Sequence, residues 1–264
     1  MHPELFSIGG FVVESYHSLV LLGGVLGLIF VLREVRRTGA DPDLIYPLLL
    51  VVFISFIIGA RIFTVIVFQD LFRNAPLRAL RFWEGGTAYY GGLVASIVAV
   101  LAYSRLKGID PWSTGDLFAP AAAIGLVFSR LGCFMAGCCY GNPCGEGLYS
   151  DLVCMRFTEG SPLRHPTQLY SSAGALLILG LLLHRRGRKR FEGELSATFL
   201  VVYPILRFMI EFFRADPRGS MQLGPIELSS SQVVGIPTFL FGLGLFLFLP
   251  RKQEKIHLPM NKET

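Results

Sequence analysis

The chain has 264 residues, of which 52% are hydrophobic and only 16% are charged. Soluble domains average about 45–50% apolar and about 25% charged residues, and the mean hydropathy here is +0.54. These values exclude an ordinary soluble protein and predict an integral membrane protein with a single domain over residues 1–264. The net charge of +5 does not indicate nucleic-acid binding, because the basic residues form short clusters between apolar runs.

Seven apolar runs are long enough to cross a bilayer, which takes about 17–25 residues of helix. They lie at roughly 16–32, 44–68, 88–103, 116–135, 168–184, 196–213 and 233–249. Backbone polar groups in hydrocarbon must be satisfied within their own segment, so each run is predicted to be helical. The predicted fold is all-α, a polytopic membrane protein with seven transmembrane helices. Residues 1–13 contain no basic segment and no cleavage site, so no signal peptide is expected.

The distribution of basic residues predicts the orientation. Fourteen lie on one side of the predicted spans: Arg33, Arg36, Arg37, Arg105, Lys107, Arg185, Arg186, Arg188, Lys189, Arg190, Arg251, Lys252, Lys255 and Lys262. Seven lie on the other side: Arg73, Arg78, Arg81, Arg156, Arg164, Arg214 and Arg218. The positive-inside rule places the N-terminus outside and the C-terminus in the cytoplasm. The predicted outer loops are 69–87, 136–167 and 215–232, with a cytoplasmic tail at 250–264.

Three arginines lie inside the predicted spans, at Arg61, Arg130 and Arg207. A charge at membrane depth is costly and usually marks a functional site. Tyr203, Arg207, Glu211 and Arg214 share one face of a helix, as their spacing shows. A structural ion pair between Arg207 and Glu211 is one interpretation. The excess of positive charge favours a second, in which the arginines bind an anion such as a phospholipid head group.

Two other stretches near the predicted outer surface contain candidate residues. His165 precedes a proline and a span, and it either orients the chain there or transfers a proton. Tyr90 lies in a Gly- and aromatic-rich stretch at 83–92, which indicates an interfacial aromatic belt or a close approach of backbone or ligand.

Four of the five cysteines are crowded together, at Cys133, Cys138, Cys139 and Cys144. Their spacing differs from that of zinc knuckles, so no metal site is expected. A disulfide is favoured, with Cys144 only five residues beyond Cys139 in a turn-rich segment. A reactive thiol activated by Arg130 is the remaining alternative.

These blocks together resemble the phosphatidylglycerol–prolipoprotein diacylglyceryl transferase family. The resemblance covers nearly all the predicted spans and rests on Phe6–Gly9, Tyr16, Gly59–Arg61, Phe82–Gly86, Gly91–Gly92, Asp116–Pro120, Arg130–Gly132, Phe134, Gly137, Gly141, Arg164–Tyr170, Arg207–Phe208 and Glu211–Arg214. It implies transfer of the diacylglyceryl group of phosphatidylglycerol to the lipobox cysteine of a prolipoprotein, forming a thioether and releasing glycerol phosphate. It also implies a multi-pass protein of the inner membrane, whose partners are phosphatidylglycerol, other membrane lipids and the prolipoprotein signal peptide, with no cofactor.

The resemblance also implies roles for individual residues. Arg130 and Arg207 take the positions of the family's essential arginines, which bind the head group and the leaving phosphate. Further substrate-binding positions are Tyr16, Tyr203, Glu211 and Gly141, and Arg61 is added as an anion-binding candidate because of its charge.

The sequence departs from the family pattern at three positions. Tyr90, Cys133 and Cys138 stand where the family usually has histidine, asparagine and glutamate. Tyr90 is therefore the first candidate for the catalytic base, and His165 is the second. These departures keep two alternatives open: a membrane redox or metal-handling protein that uses the cysteines, and a phospholipid-binding paralogue without catalysis.

Overall fold

The computed structural model describes residues 3–9, 11–73, 76–80, 89–145, 147–215, 220–223 and 226–250. Each predicted span coincides with a long helix: α1 (Ser15–Thr38), α2 (Pro42–Val67), α4 (Tyr89–Lys107), α5 (Pro111–Met135), α7 (Thr167–Arg185), α8 (Glu194–Glu211) and α9 (Ser230–Phe248). Short elements lie between them: α3 (Gln69–Arg73), a 3-10 helix (Pro76–Leu80) and α6 (Leu148–Val153). Two antiparallel hairpins precede α1 and α9: β1 (Glu4–Ile8) with β2 (Phe11–Glu14), and β3 (Ser220–Leu223) with β4 (Ile226–Ser229). The all-α prediction therefore holds for the spans, whereas these two hairpins lie outside them.

The helices identify the chain as a helical membrane protein. In the described part of the chain, five helices are long and apolar enough to cross a bilayer, namely α1, α2, α5, α7 and Ser231–Phe248 of α9. Their large apolar side chains point outward, as Leu21 (69% exposed), Phe53 (64%) and Leu177 (63%) illustrate. Such surfaces are stable only against lipid or a partner.

Some predictions fall on residues outside those described. They are the tail beyond residue 250 with its four basic residues, Arg81, Arg218 and the block Phe82–Gly86. The outer loops 69–87 and 215–232 are described only in part.

Local sequence sets where several helices begin. Asp41 caps α2 by accepting a hydrogen bond from the backbone N–H of Asp43 at 2.9 Å, and Pro42 occupies the first turn. At the start of α9, Ser229 and Gln232 form a capping box. The start of α9 is important because Ser231, in its first turn, contacts a candidate site residue.

The helices fall into two compact units. One comprises the described residues within 3–34 and 115–250, and the other comprises those within 35–114. A single domain over 1–264 stays a prediction.

In the second unit, α2 and α4 pack as an antiparallel pair in close contact. A Cβ atom at Gly59 would overlap Ala95 and the carbonyl of Gly91. Farther along, the Tyr103 hydroxyl donates to the Leu44 carbonyl at 3.0 Å. Small residues at such an interface let two helix backbones touch, which is the main way helices associate in lipid.

The first unit has its core between α5, α7 and α8. Its buried members are Ala119, Ala123, Ile178, Leu182 and Leu195, and Phe199, Val202, Tyr203 and Leu206 are among those packed against them. Tyr203 therefore lies at the edge of the core rather than at the surface.

Buried acids hold one end of this unit. Asp116 accepts backbone hydrogen bonds from Gly193 and Ser196, both at 2.9 Å. Glu194 binds Arg185 at 2.8 Å. Some of the basic residues at 185–190 thus form ion pairs with acidic residues of the protein itself.

Candidate active site

Three of the predicted site residues line one crevice in the first unit. Arg130 comes from α5, and Tyr203 and Arg207 come from α8. The other lining residues are mostly apolar or small and come from α5, α7 and α8: Leu126, Ser171, Gly174, Ala175, Ile178, Leu206 and Ile210. The crevice has about 20 Å³ of free space, which is room for about one water molecule. Two arginines thus line the same mostly apolar crevice, where charge is weakly screened.

Arg207 is held in place by two partners. Its Nη1 forms an ion pair with Glu211, one turn later on α8, and its Nη2 donates to Ser231 Oγ at 2.7 Å. The side chains of Arg207 and Glu211 are each only 12% exposed. The structural ion pair considered from the sequence is therefore present, and it fixes the guanidinium beside the crevice.

Arg130 differs from Arg207 in its charge partners. Among the residues that the structure describes, no carboxylate forms an ion pair with Arg130. Two guanidinium groups thus line the crevice, and only that of Arg207 is paired with a carboxylate among the described residues. This balance favours an anion there, since arginine binds phosphate oxygens through its planar fork.

Tyr16 lies close to the same helix as Arg130. It occupies the first turn of α1, and a Cβ atom at Gly132 would lie only 3.2 Å from Tyr16 Cδ2. Gly132 therefore allows Tyr16 to pack directly on the backbone of α5, two residues after Arg130.

Gly141 is enclosed on three sides. A Cβ atom there would overlap the Phe213 carbonyl and would lie 2.8 Å from both His165 Cβ and Thr167 Cγ2. Its own N–H donates to the His165 carbonyl at 2.8 Å. Gly141 also forms an isolated antiparallel β-bridge with Arg214. Arg214 is available for this bridge because α8 ends at Glu211. The predicted four-residue helical face is therefore wrong for Arg214, which lies beyond the helix end.

His165 lies among aromatic rings rather than in the crevice lining. Its Nδ1 is 3.2 Å from the Tyr170 hydroxyl, and its ring centroid is 5.1 Å from that of Phe213. The same Nδ1 is 3.9 Å from Cys154 Sγ. These contacts orient the imidazole, which fits the positioning role considered from the sequence.

The disulfide joins Cys144 to Cys154. The sequence analysis favoured a disulfide and placed Cys144 near Cys139, so the disulfide is present but the partner of Cys144 is Cys154. Both segments pair with the backbone of Arg164, Pro143 on one side and Met155 on the other, and this brings Cys144 and Cys154 together. No periodic pattern in the sequence indicates such irregular pairing.

The thiol of Cys138 is not activated. Partial burial, and after it the neighbouring Cys139, raise the pKa of Cys138 above its ordinary value. The raised pKa favours the protonated thiol at this position over the activated thiolate considered from the sequence.

A family model described as prolipoprotein diacylglyceryl transferase matches residues 3–248. The chain belongs to this family. Relatives named phosphatidylglycerol–prolipoprotein diacylglyceryl transferase include those of Clostridium tetani (29% identical), Aromatoleum aromaticum (32%) and Azospirillum brasilense (32%). The alignments cover 93%, 93% and 96% of this chain and 97%, 96% and 96% of the respective relatives. The chain is thus a transferase of this type, as the sequence resemblance predicted.

Within this transferase, the structure gathers only part of the predicted site. Arg130, Tyr203 and Arg207 share the crevice, and Glu211 binds Arg207. Gly141, Tyr16 and His165 lie in the same unit, outside the crevice lining.

Two predicted site residues belong to the second unit. Arg61 donates from Nε to the Ala79 carbonyl at 2.8 Å and from Nη2 to the Arg78 carbonyl, and it is only 5% exposed. It therefore anchors the 3-10 helix. Tyr90 lies in the first turn of α4, and its side chain is outside the described residues.

Several residues that support this site are not predictable from the sequence. The sequence places Ser231 only near the start of a span, although its hydroxyl binds Arg207. Thr167 and Gln168 belong to a family block that gives them no role, yet they donate to the Cys139 and Cys138 carbonyls. Two adjacent polar residues at the start of an apolar helix are the only signal for this contact.

Proposed function

We propose that this protein moves the diacylglyceryl group of phosphatidylglycerol to the lipobox cysteine of prolipoproteins, with Arg130 and Arg207 as the phosphate-binding residues. In this reaction a carbon–sulfur bond forms to the glyceryl carbon, and the bond from that carbon to the phosphate oxygen breaks. Glycerol phosphate leaves with the bonding electrons, and the thiol proton passes to a base. The observation that carries the assignment is the shared crevice of the two arginines.

The arginines act mainly on the leaving group. Negative charge grows on the phosphate as the carbon–oxygen bond breaks, and two fixed guanidinium groups stabilise that charge most in the transition state. Glu211 and Ser231 hold Arg207 in one orientation, so the reaction does not have to pay the entropic cost of orienting it. Tyr203 lines the crevice and also packs against the hydrophobic core.

Tyr90 and His165 remain the two candidates for the base. The Nδ1 of His165 lies 3.2 Å from the Tyr170 hydroxyl, and the tautomer that donates from Nδ1 would present Nε2 as a proton acceptor. Tyr90 would need a nearby cation to ionise at neutral pH, because its ordinary pKa is about 10. Tyr16 and Gly141 are further substrate-binding candidates in the first unit, and Arg61 stays a separate anion-binding candidate in the second.

We further propose seven spans with the N-terminus outside, in the inner membrane. The helices α4 and α8 would be the two additional spans, and polar residues of α8 would face the crevice. The Cys144–Cys154 disulfide supports an outer position for residues 136–167, because such bonds persist in oxidising compartments. The partners would be phosphatidylglycerol, surrounding lipids and the prolipoprotein signal peptide.

Complementation of a strain depleted of its own transferase tests the function and the site. The wild-type chain should restore lipoprotein lipidation, whereas Arg130→Ala and Arg207→Ala should not, at equal membrane abundance. Arg36→Ala is the matched control, because Arg36 is an exposed arginine in the last turn of α1. Failure of the wild type would favour the non-catalytic paralogue, and full activity of both alanine variants would contradict the site.

A further inference from the structure

Three cysteines at the end of α5 retain their thiols: Cys133, Cys138 and Cys139. Cys133 is buried in the last turn of the helix, and Cys138 is exposed in the loop that follows. The three sulfur atoms all lie within 4.8 Å of one another. The transfer chemistry described above uses none of them.

The backbone turn that ends α5 brings these cysteines together. Gly137 has φ +69°, its N–H donates to the Phe134 carbonyl, and the N–H of Cys138 donates to the Cys133 carbonyl, both at 3.1 Å. This is a Schellman motif, in which a left-handed glycine folds the chain back over the last helical turn. Cys138 is thereby placed over Cys133, and its Sγ lies 3.6 Å from the Cys133 carbonyl oxygen.

Cys139 is held in an uncommon conformation by buried side chains of α7. Its φ of +65° lies in the left-handed region, which residues other than glycine adopt only at a cost in backbone strain. Thr167 Oγ1 donates to the Cys139 carbonyl at 2.8 Å, and Gln168 Nε2 donates to the Cys138 carbonyl at 2.6 Å. Thr167 and Gln168 are at most 1% exposed. The arrangement of thiols is therefore fixed before any ligand binds.

We propose that Cys133, Cys138 and Cys139 bind a thiophilic d10 cation, with Zn²⁺ as the ion that their geometry fits. In a tetrahedral zinc site the Zn–S distance is about 2.3 Å, so the sulfur atoms lie about 3.8 Å apart. The observed separations need to shorten by at most about 1 Å to reach that geometry. On binding, each thiol loses its proton to solvent and forms a metal–sulfur bond. The fourth position stays open on the side of exposed Cys138.

The charge around the site also fits a cation bound by thiolates. Three thiolates and one divalent cation leave a single negative charge. Arg130 lies three residues before Cys133, on the same face of α5, and its positive charge offsets that excess. A second group of potential ligands, Cys144, Cys154 and His165, does not compete, because its two cysteines are joined in the disulfide.

Cobalt absorption tests the proposal on the full-length protein in detergent micelles. The protein is isolated without reductant, so that the Cys144–Cys154 disulfide stays closed, then freed of metal under argon and titrated with Co²⁺. Wild type should develop a thiolate-to-cobalt charge-transfer band that saturates at one Co²⁺ per chain and disappears when Zn²⁺ is added. Cys138→Ser should weaken Co²⁺ binding about tenfold or more, and the fold should be unaffected because Cys138 is exposed.

Two control variants show whether the band comes from these three thiols and whether it depends on transfer. The double variant Cys144→Ser/Cys154→Ser lacks the disulfide but keeps the three thiols, so its band should persist. Arg207→Ala should lose transferase activity and keep the band, so that failure of one proposal does not imply failure of the other.

Three results would overturn the proposal. They are no band in the wild type with its disulfide intact, undiminished affinity in Cys138→Ser, and a thiol count showing that two of the three cysteines form a disulfide in freshly isolated, unreduced protein.

Discussion

Glu211 forms an ion pair with Arg207 one helical turn before it, and both side chains are almost fully buried beside the crevice. The carboxylate therefore balances one of the two guanidinium groups and fixes its direction. The second guanidinium, that of Arg130, has no such partner among the described carboxylates. We infer that a substrate phosphate bound in this crevice would meet one guanidinium paired with a carboxylate and one without such a pair among the described residues.

Replacing Glu211 should weaken catalysis more than folding. In Glu211→Gln the side chain keeps its size but loses its charge, so Arg207 is held by Ser231 alone. We expect kcat/KM for phosphatidylglycerol to fall about tenfold or more, which corresponds to about 1.4 kcal/mol. Release of glycerol phosphate by purified variants measures this effect. Glu159→Gln is the control, since Glu159 is exposed in the segment between α6 and α7, and equal rates for both variants would contradict the positioning role.

Adding one methyl group at Gly141 should destabilise the protein. The new Cβ in Gly141→Ala would overlap the Phe213 carbonyl and crowd His165 and Thr167. Overpacking of this kind costs about 1–3 kcal/mol. We expect a lower thermal midpoint in detergent together with reduced transfer. Gly145→Ala should match wild type, because no atom lies within 4 Å of the Cβ position there.

The contact between α2 and α4 should be equally sensitive to side-chain size. In Gly59→Ala the added methyl meets Ala95 and the backbone of Gly91, so the helices must separate. We expect a loss of stability of about 1–3 kcal/mol, seen as faster proteolysis of the membrane-inserted protein. Gly24→Ala is the control in another helix, where the Cβ position is open. Similar proteolysis of the two variants would show that α2 and α4 do not pack this closely.

Loss of the disulfide should loosen the loop between α5 and α7. Cys144 and Cys154 are separated by 10 positions, and closing a loop of that length is worth about 2–3 kcal/mol. We expect Cys154→Ser to unfold earlier on heating, with a shift comparable to that of wild type under reductant. Maleimide labelling of denatured protein provides the direct check: wild type should expose three thiols without reductant and five with it.

The apolar runs predict the long helices well, because burial in lipid leaves the backbone no alternative to helical hydrogen bonding. The helix spacing likewise predicts the pairing of Arg207 with Glu211. Contacts between irregular segments are not predictable. The partner of Cys144, the enclosure of Gly141 and the orientation of His165 all depend on how residues 136–167 fold back on themselves, and no sequence period encodes such folding.

Interactions of single side chains with distant segments are the second kind of contact that the sequence does not predict. The charge of Arg61 marks it as a candidate, and only the structure shows that it binds two carbonyls of the 3-10 helix. The role of Ser231 is hidden because a serine at the start of a helix is common for capping reasons. Its distance from Arg207 along the chain gives no indication of the contact.

The Cys144–Cys154 bond has a consequence for the acceptor substrate. Such a bond forms and persists where thiols are oxidised, yet the acceptor cysteine of the proposed reaction must arrive as a thiol. An acceptor cysteine exposed to the same aqueous surroundings would be open to oxidation to a disulfide. Rapid transfer would therefore also protect the acceptor cysteine from unwanted cross-linking.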